Sequence, residues 1–83
     1  MTEKELELII AAQQGDASAF GRLALSYRKR ITGLAFTLTQ EQEELDDITQ
    51  TVFLKAFRAL RKLQDPAAFT SWIMAITRRT CID

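Results

Sequence analysis

Residues 46–57 read DDITQTVFLKAF. The stretch has helical spacing, yet its apolar residues do not share one side. With Val52 at zero and about 100° per residue, Leu45, Ile48, Ala56, Ala59 and Leu63 fall within roughly 40°, and Leu60 at about 80°. That set is a core stripe, and a stripe needs another layer to bury it. Leu54 falls at about 200° and Phe57 at about 140°, beside Asp47, Gln50, Arg58 and Arg61. The outer face thus has an acidic and amide start, an apolar middle and a basic end. Phe57 reads equally as core under a neighbouring helix or as a contact for a partner. Leu54, opposite the stripe and ringed by polar groups, reads as a partner-facing anchor.

The flanking sequence carries further helices. Thr2 and Glu5 have capping-box spacing, which predicts a first helix to about Gln14, with Leu6, Ile9, Ile10 and Gln13 inward. Gly15 stops it, and Asp16 caps a second helix. Phe20, Leu23, Ala24, Tyr27, Ile31, Leu34, Ala35 and Leu38 keep helical spacing along that segment. Gly33 interrupts it and is read as a place where a neighbouring helix comes close. Thr39 and Gln42 repeat capping-box spacing, which predicts a third helix from there to about Leu63. Asp65-Pro66 restarts the chain with a cap and a proline at the first helical position. The fourth helix then runs to about Cys81 with Phe69, Trp72, Ile73 and Ile76 inward. One proline and three glycines leave little room for hairpins. The expected fold is all-α, a compact four-helix bundle in one domain.

Composition excludes several functions. The chain has 83 residues and no histidine, which removes the commonest metal ligand and general base. No cofactor or metal is called for, and an enzyme is not expected. The single cysteine, Cys81, cannot form an internal disulfide, and the first residues lack a basic leader. A cytoplasmic protein without membrane contact is expected. Net charge is zero, but residues 1–47 hold five basic and nine acidic side chains while residues 48–83 hold six and two. One end is suited to phosphate and the other to something different. The cluster Arg28, Lys29 and Arg30 reads as a solvated face.

Three blocks then resemble, in order, region 2 of the extracytoplasmic-function sigma factors, promoter-specificity subunits of bacterial RNA polymerase. GDASAF at 15–20 is similar to that family's Gly-Asp-x-x-Ala-Phe element. ELDDITQTVFLKAFRAL at 44–60 is similar to its Glu-Asp-Leu-x-Gln-x-x-Phe-Leu-x-Ala-Trp block. FTSWIMAITRRTCID at 69–83 is similar to its Phe-x-x-Trp-Leu-x-x-Ile-x-Arg-Asn block. The resemblance covers nearly the whole chain. It departs at Thr51, where the family usually has glutamate, and at Phe57, where it often has tryptophan.

The resemblance implies a transcription initiation factor domain that binds polymerase core and recognises and helps melt the promoter −10 element. Polymerase contacts, on the coiled coil of the β′ clamp, are implied at Asp47, Gln50, Thr51, Leu54 and Arg58. Contacts to the non-template strand are implied along the turn from Arg61, Lys62, Gln64 and Asp65 to Ala68, Thr70, Ser71 and Trp72. Arg78 and Arg79 would follow the upstream duplex. Free N–H groups at the start of the fourth helix are expected to help hold an anion or a base edge. Trp72 reads first as core packing and second as a stacking platform. Housekeeping sigma factors are similar but have more aromatics here, so weaker melting and a stricter promoter requirement are expected. The resemblance places a −35-reading region 4 domain outside residues 1–83. An anti-sigma factor is a further expected partner. The rival reading is a sigma-like adaptor module that has lost DNA binding, which the zero net charge and Thr51 favour.

Overall fold

Four α-helices joined by short turns make up the described residues, 1–82, of the computed structural model: α1 (Glu3–Gln13), α2 (Ala17–Thr39), α3 (Leu45–Ala59) and α4 (Phe69–Ile82). Asp83, the last residue of the 69–83 block, lies outside them. The all-α expectation holds: there is no strand among the described residues. None of the described helices is long and apolar enough to cross a membrane.

The caps explain where the first two helices begin and end. Thr2 accepts from the Glu5 N–H at 3.1 Å, and Asp16 accepts from the Ala19 N–H at 3.1 Å. Each satisfies a donor that the first helical turn leaves unpaired. Between them, Gly15 adopts φ +101°. Its N–H reaches the Ala12 carbonyl while that of Asp16 reaches Ala11. This double closure needs a left-handed residue, which glycine adopts without steric cost.

α2 is the long axis of the molecule. Its 23 residues, at about 1.5 Å each, span roughly 34 Å, matching the longest dimension of 34 Å. The other three helices all pack on it. Ile9 of α1, Leu23, Tyr27 and Ile31 of α2, Val52 of α3, Leu60 just beyond it, and Phe69 and Ile73 of α4 are all buried. Burying a large apolar side chain contributes about 1.5–3 kcal/mol. Tyr27 meets Phe69 edge-on, with centroids 5.1 Å apart.

Several expectations need correction. Ile10 is exposed, and α1 turns Leu8, Ile9 and Ala12 inward instead. Leu38 is exposed, as is Phe36 two residues before it. Thr39 and Gln42 form no capping box. α2 continues through Thr39, whose hydroxyl donates to the Ala35 carbonyl at 2.9 Å. Gln40 then takes φ 59°, and its N–H closes onto the Phe36 carbonyl at 2.8 Å. A 3₁₀ turn, Gln42–Glu44, leads into α3. α3 ends at Ala59, earlier than expected, and a second 3₁₀ turn covers Leu60–Lys62. Gln13 supports that end: its amide donates to the carbonyls of Leu60 at 3.2 Å and Leu63 at 2.8 Å.

Two buried threonines were absent from the expected core. Thr49 pairs its hydroxyl with that of Thr32 at 3.2 Å, and Thr77 donates to the Ile73 carbonyl at 2.9 Å. Both are tolerated inside because their hydroxyls are satisfied. Gly33 admits no neighbour either, since a Cβ there would meet nothing within 4 Å. Gly33→Ala is therefore expected to stabilise the fold by about 0.5–1 kcal/mol through helix propensity. Thermal unfolding reads this directly, and a lowered midpoint would reveal a hidden contact.

Candidate functional site

The core stripe of α3 turns Val52 and Ala56 fully inward, so the opposite side of the same helix must face solvent. Leu54 is 50% exposed there, and Asp47, Gln50, Thr51 and Arg58 are exposed around it. The five residues assigned to one partner by resemblance thus share an open surface. Phe57 resolves to an intermediate answer. It is 45% exposed, yet its ring leans on Phe20 of α2 with centroids 5.0 Å apart.

Beside this ridge runs a groove between α2 and α3, about 590 Å³ in volume. Phe20, Phe53 and Phe57 form its floor, with Phe53 meeting Phe20 nearly edge-on at 6.4 Å. Gln50 and Leu54 form one rim, and Ala17 and Gly21 keep the other low. A Cβ on Gly21 would meet nothing within 4 Å, so this wall is open. One end is crossed by Arg28 and Asp46, 3.4 Å apart and both well exposed. Such a pair is screened and adds little stability.

The turn after α3 gathers the basic residues. Arg61 and Lys62 lie on the second 3₁₀ turn, and Gln64 and Asp65 follow on the loop, all exposed. Arg58 joins Arg61 around a hollow of about 310 Å³ lined also by Ala12, Gly15 and Phe57. The acidic ridge on α3 therefore grades directly into the basic turn. A third 3₁₀ turn, Pro66–Ala68, opens onto α4, with Ala68 half-buried. Ser71 is exposed and its hydroxyl donates to the Ala68 carbonyl at 3.1 Å, which leaves its oxygen lone pairs for a ligand. Trp72 is half-buried and tilted on Phe69, with centroids 5.8 Å apart, so core packing is its first role. Arg78 and Arg79 are exposed further along α4.

The free N–H groups expected at the start of α4 are not free. The Asp65 carboxylate accepts from Ala67 at 3.0 Å, the Asp65 carbonyl accepts from Ala68 at 2.9 Å, and Phe69 donates to Pro66. The tight 3₁₀ geometry consumes the donors that an α-helical start would leave open. Side chains, not the helix terminus, must hold any anion here. Thr70 is also committed: its hydroxyl lies 2.6 Å from that of Tyr27.

The sequence reading missed the groove floor. Phe53 lies at about 100° from Val52, between the two faces, where an angle alone assigns no side. Phe20 is buried in the core, but its edge forms part of the groove. The basic cluster on α2 divides as well. Arg28 faces Asp46, while Arg30 sits over the Tyr27 ring, 4.2 Å from its centroid.

Comparison with known proteins adds four findings. The sequence model of the Sigma-70 region 2 family matches residues 23–83. The RNA polymerase sigma-H factor of Pseudomonas aeruginosa is 35% identical over 94% of this chain and 40% of its own length. The ECF RNA polymerase sigma-E factor of Escherichia coli K12 is 30% identical over 88% of this chain and 38% of its own. This chain spans about two fifths of the length of these relatives. The NMR structure of an engineered region 2 of sigmaE, solved in complex with GTAAAA, superposes with a TM-score of 0.86 at 28% identity, covering 98% of this chain and 86% of that one.

Proposed function

The chain belongs to the Sigma-70 region 2 family, as a region 2 domain of the extracytoplasmic-function kind, and from that premise we propose that it binds RNA polymerase core and holds the promoter −10 element. The ridge Asp47–Gln50–Leu54 docks on the β′ coiled coil, with Thr51 and Arg58 at its edges. The turn from Arg61 to Trp72 holds the non-template strand after a base leaves the stack, and Arg78 and Arg79 lie along the upstream duplex. One observation carries the reading. Leu54 stands half-exposed among polar side chains on the face opposite a fully buried stripe. An apolar anchor with a polar rim is the usual composition of a docking helix.

The strand-binding half rests on charge and side-chain chemistry. Arg58, Arg61 and Lys62 are exposed together, and Gln64 and Ser71 offer polar atoms beside them. Phosphate contacts position a strand, and base-edge contacts read it. The solved relative carries GTAAAA, which supports strand binding over the adaptor reading. Polymerase tethering raises the effective concentration of the strand, so a domain of zero net charge needs only a local basic patch. An anti-sigma protein that covered the Leu54 ridge would block the first step.

The test is a salt titration of −10 single-strand binding with polymerase present. Arg61→Ala and Lys62→Ala are each expected to reduce the slope of log K against log salt by about 0.7, the value for one single-strand phosphate contact. Unchanged slopes in both variants would favour the adaptor.

A further inference from the structure

Arg58 and Arg61 frame the hollow of about 310 Å³ at the junction of α1 and α3. The rest of its lining is Ala12, Gly15 and Phe57, so the two guanidiniums are its only charged groups among the described residues. Both arginines are exposed and stand three residues apart, where like charges repel. Arg28–Asp46 is the one ion pair among the described residues, so no carboxylate offsets that repulsion. Asp16, next to Gly15 in the chain, turns its carboxylate to the Ala19 N–H at 3.1 Å as the cap of α2.

The backbone at Gly15 helps to fix one jaw of this hollow. A Cβ there would lie 3.6 Å from Arg61 Nη2, so the guanidinium rests beside bare backbone. The last turn of α1 has no basic residue of its own. Arg61 supplies the positive charge that the carbonyl end of a helix favours. Glycine is needed at φ +101° for the turn, and its missing side chain also leaves the hollow open beside Arg61. Arg58, in the last turn of α3, forms the other jaw.

The donor geometry selects the occupant. A guanidinium is a planar fork, and one fork satisfies the coplanar oxygens of a carboxylate. Two forks around one hollow suit a tetrahedral group whose oxygens lie in more than one plane, which is a phosphate. Its source follows from position: Arg61 and Lys62 share the 3₁₀ turn already proposed to hold the strand. We propose that the Arg58–Arg61 hollow seats one backbone phosphate of the captured strand and so carries the strand off that turn and across the junction of α1 and α3. This rests on the strand-capture reading above. It brings α1 and the Gly15 turn into the strand path, and it places Arg58 on the strand as well as at the edge of the docking ridge.

The experiment uses the chain bound to polymerase core and a set of −10-length single strands, each with one phosphate replaced by a neutral methylphosphonate. The wild type is expected to lose about tenfold in affinity at one position, the effect of one charge-assisted contact. Arg58→Ala and Arg61→Ala are each expected to cut that penalty to less than about threefold. Each variant is compared on both strands, so any change in its polymerase contact cancels. Lys29→Ala, on the exposed face of α2, keeps the full penalty. At constant ionic strength, inorganic phosphate is expected to weaken the unmodified strand and to leave the strand modified at that position unaffected.

An undiminished penalty in both arginine variants overturns the seat. A lower thermal midpoint in Arg61→Ala with the penalty intact would mean that Arg61 only closes the end of α1. If inorganic phosphate weakens the unmodified strand while no modified strand differs from it, the hollow takes a free phosphate and the strand path is overturned. If the arginine variants lose core affinity and no strand position is sensitive, the occupant is a carboxylate of the polymerase. Lys62→Ala separates the two readings. A reduced salt slope in Lys62→Ala, without any sensitive phosphate, sinks the seat and leaves strand capture standing. A wild type that binds no strand sinks both.

Discussion

Leu54→Arg is expected to lower affinity for polymerase core at least about 30-fold, the effect of losing a hot-spot anchor worth about 2 kcal/mol. The substitution places a charge where the proposed partner must exclude water. It does not enter the interior, because Leu54 is 50% exposed and lies opposite Val52. Arginine is nearly as good a helix former as leucine, so α3 itself is not weakened. A surface change of this kind stays within about 0.5 kcal/mol of the parent stability. In a domain of this size that amounts to less than about 4 °C in the thermal midpoint. Titration against immobilised core polymerase, with a thermal melt of the same sample, separates the two quantities. A large drop in the melt would mean that the residue supports the bundle. Parental affinity with an unchanged melt would mean that the docking face lies elsewhere.

The second large effect comes from two residues earlier on the same helix. Val52→Asp is expected to unfold the chain at room temperature. Val52 is 0% exposed and sits among the buried residues of the bundle. An aspartate there would be set among the hydrophobic side chains of the core. A buried unpaired charge belongs to the rare class of substitutions that cost more than about 4 kcal/mol. At about 0.05–0.15 kcal/mol per residue, the whole domain has only about 4–12 kcal/mol to lose. Val52→Ala removes two methyl groups without adding charge, and circular dichroism should find it folded but weakened by roughly 1–3 kcal/mol. A folded Val52→Asp with native-like melting would show that the stripe is not the buried side. Together with Leu54→Arg, the pair asks whether two neighbours on one helix answer to different masters, one to the bundle and one to the partner.

The groove beside Leu54 gives that question a shape. Its floor of Phe20, Phe53 and Phe57 is continuous with the core, and its rim carries the polar residues of α3. A partner that covers Leu54 would also meet these ring edges. The same helix therefore supplies the packing that holds α2 and the surface proposed for docking, and no separate element is needed for either role.

The helices and the two faces of α3 were legible in the sequence because their causes are local. Helical spacing places Val52 inward and Leu54 outward whatever lies around them. The caps at Thr2, Asp16 and Asp65 depend on atoms two or three residues away. The failures have the opposite character. Ile10 and Leu38 are apolar at helical spacing, but only the lengths and placement of the neighbouring helices leave them uncovered. Thr49 looks polar in the sequence and is buried because Thr32, seventeen residues earlier, answers its hydroxyl. Gln13 supports the end of α3 from 47 and 50 residues away, and Tyr27 reaches Thr70 across 43. The backbone donors before α4 looked free in the sequence and are closed by a 3₁₀ turn. Periodicity reports which way a side chain points. What it meets there depends on hydrogen bonds and packing between distant parts of the chain, which exist only once the four helices are assembled.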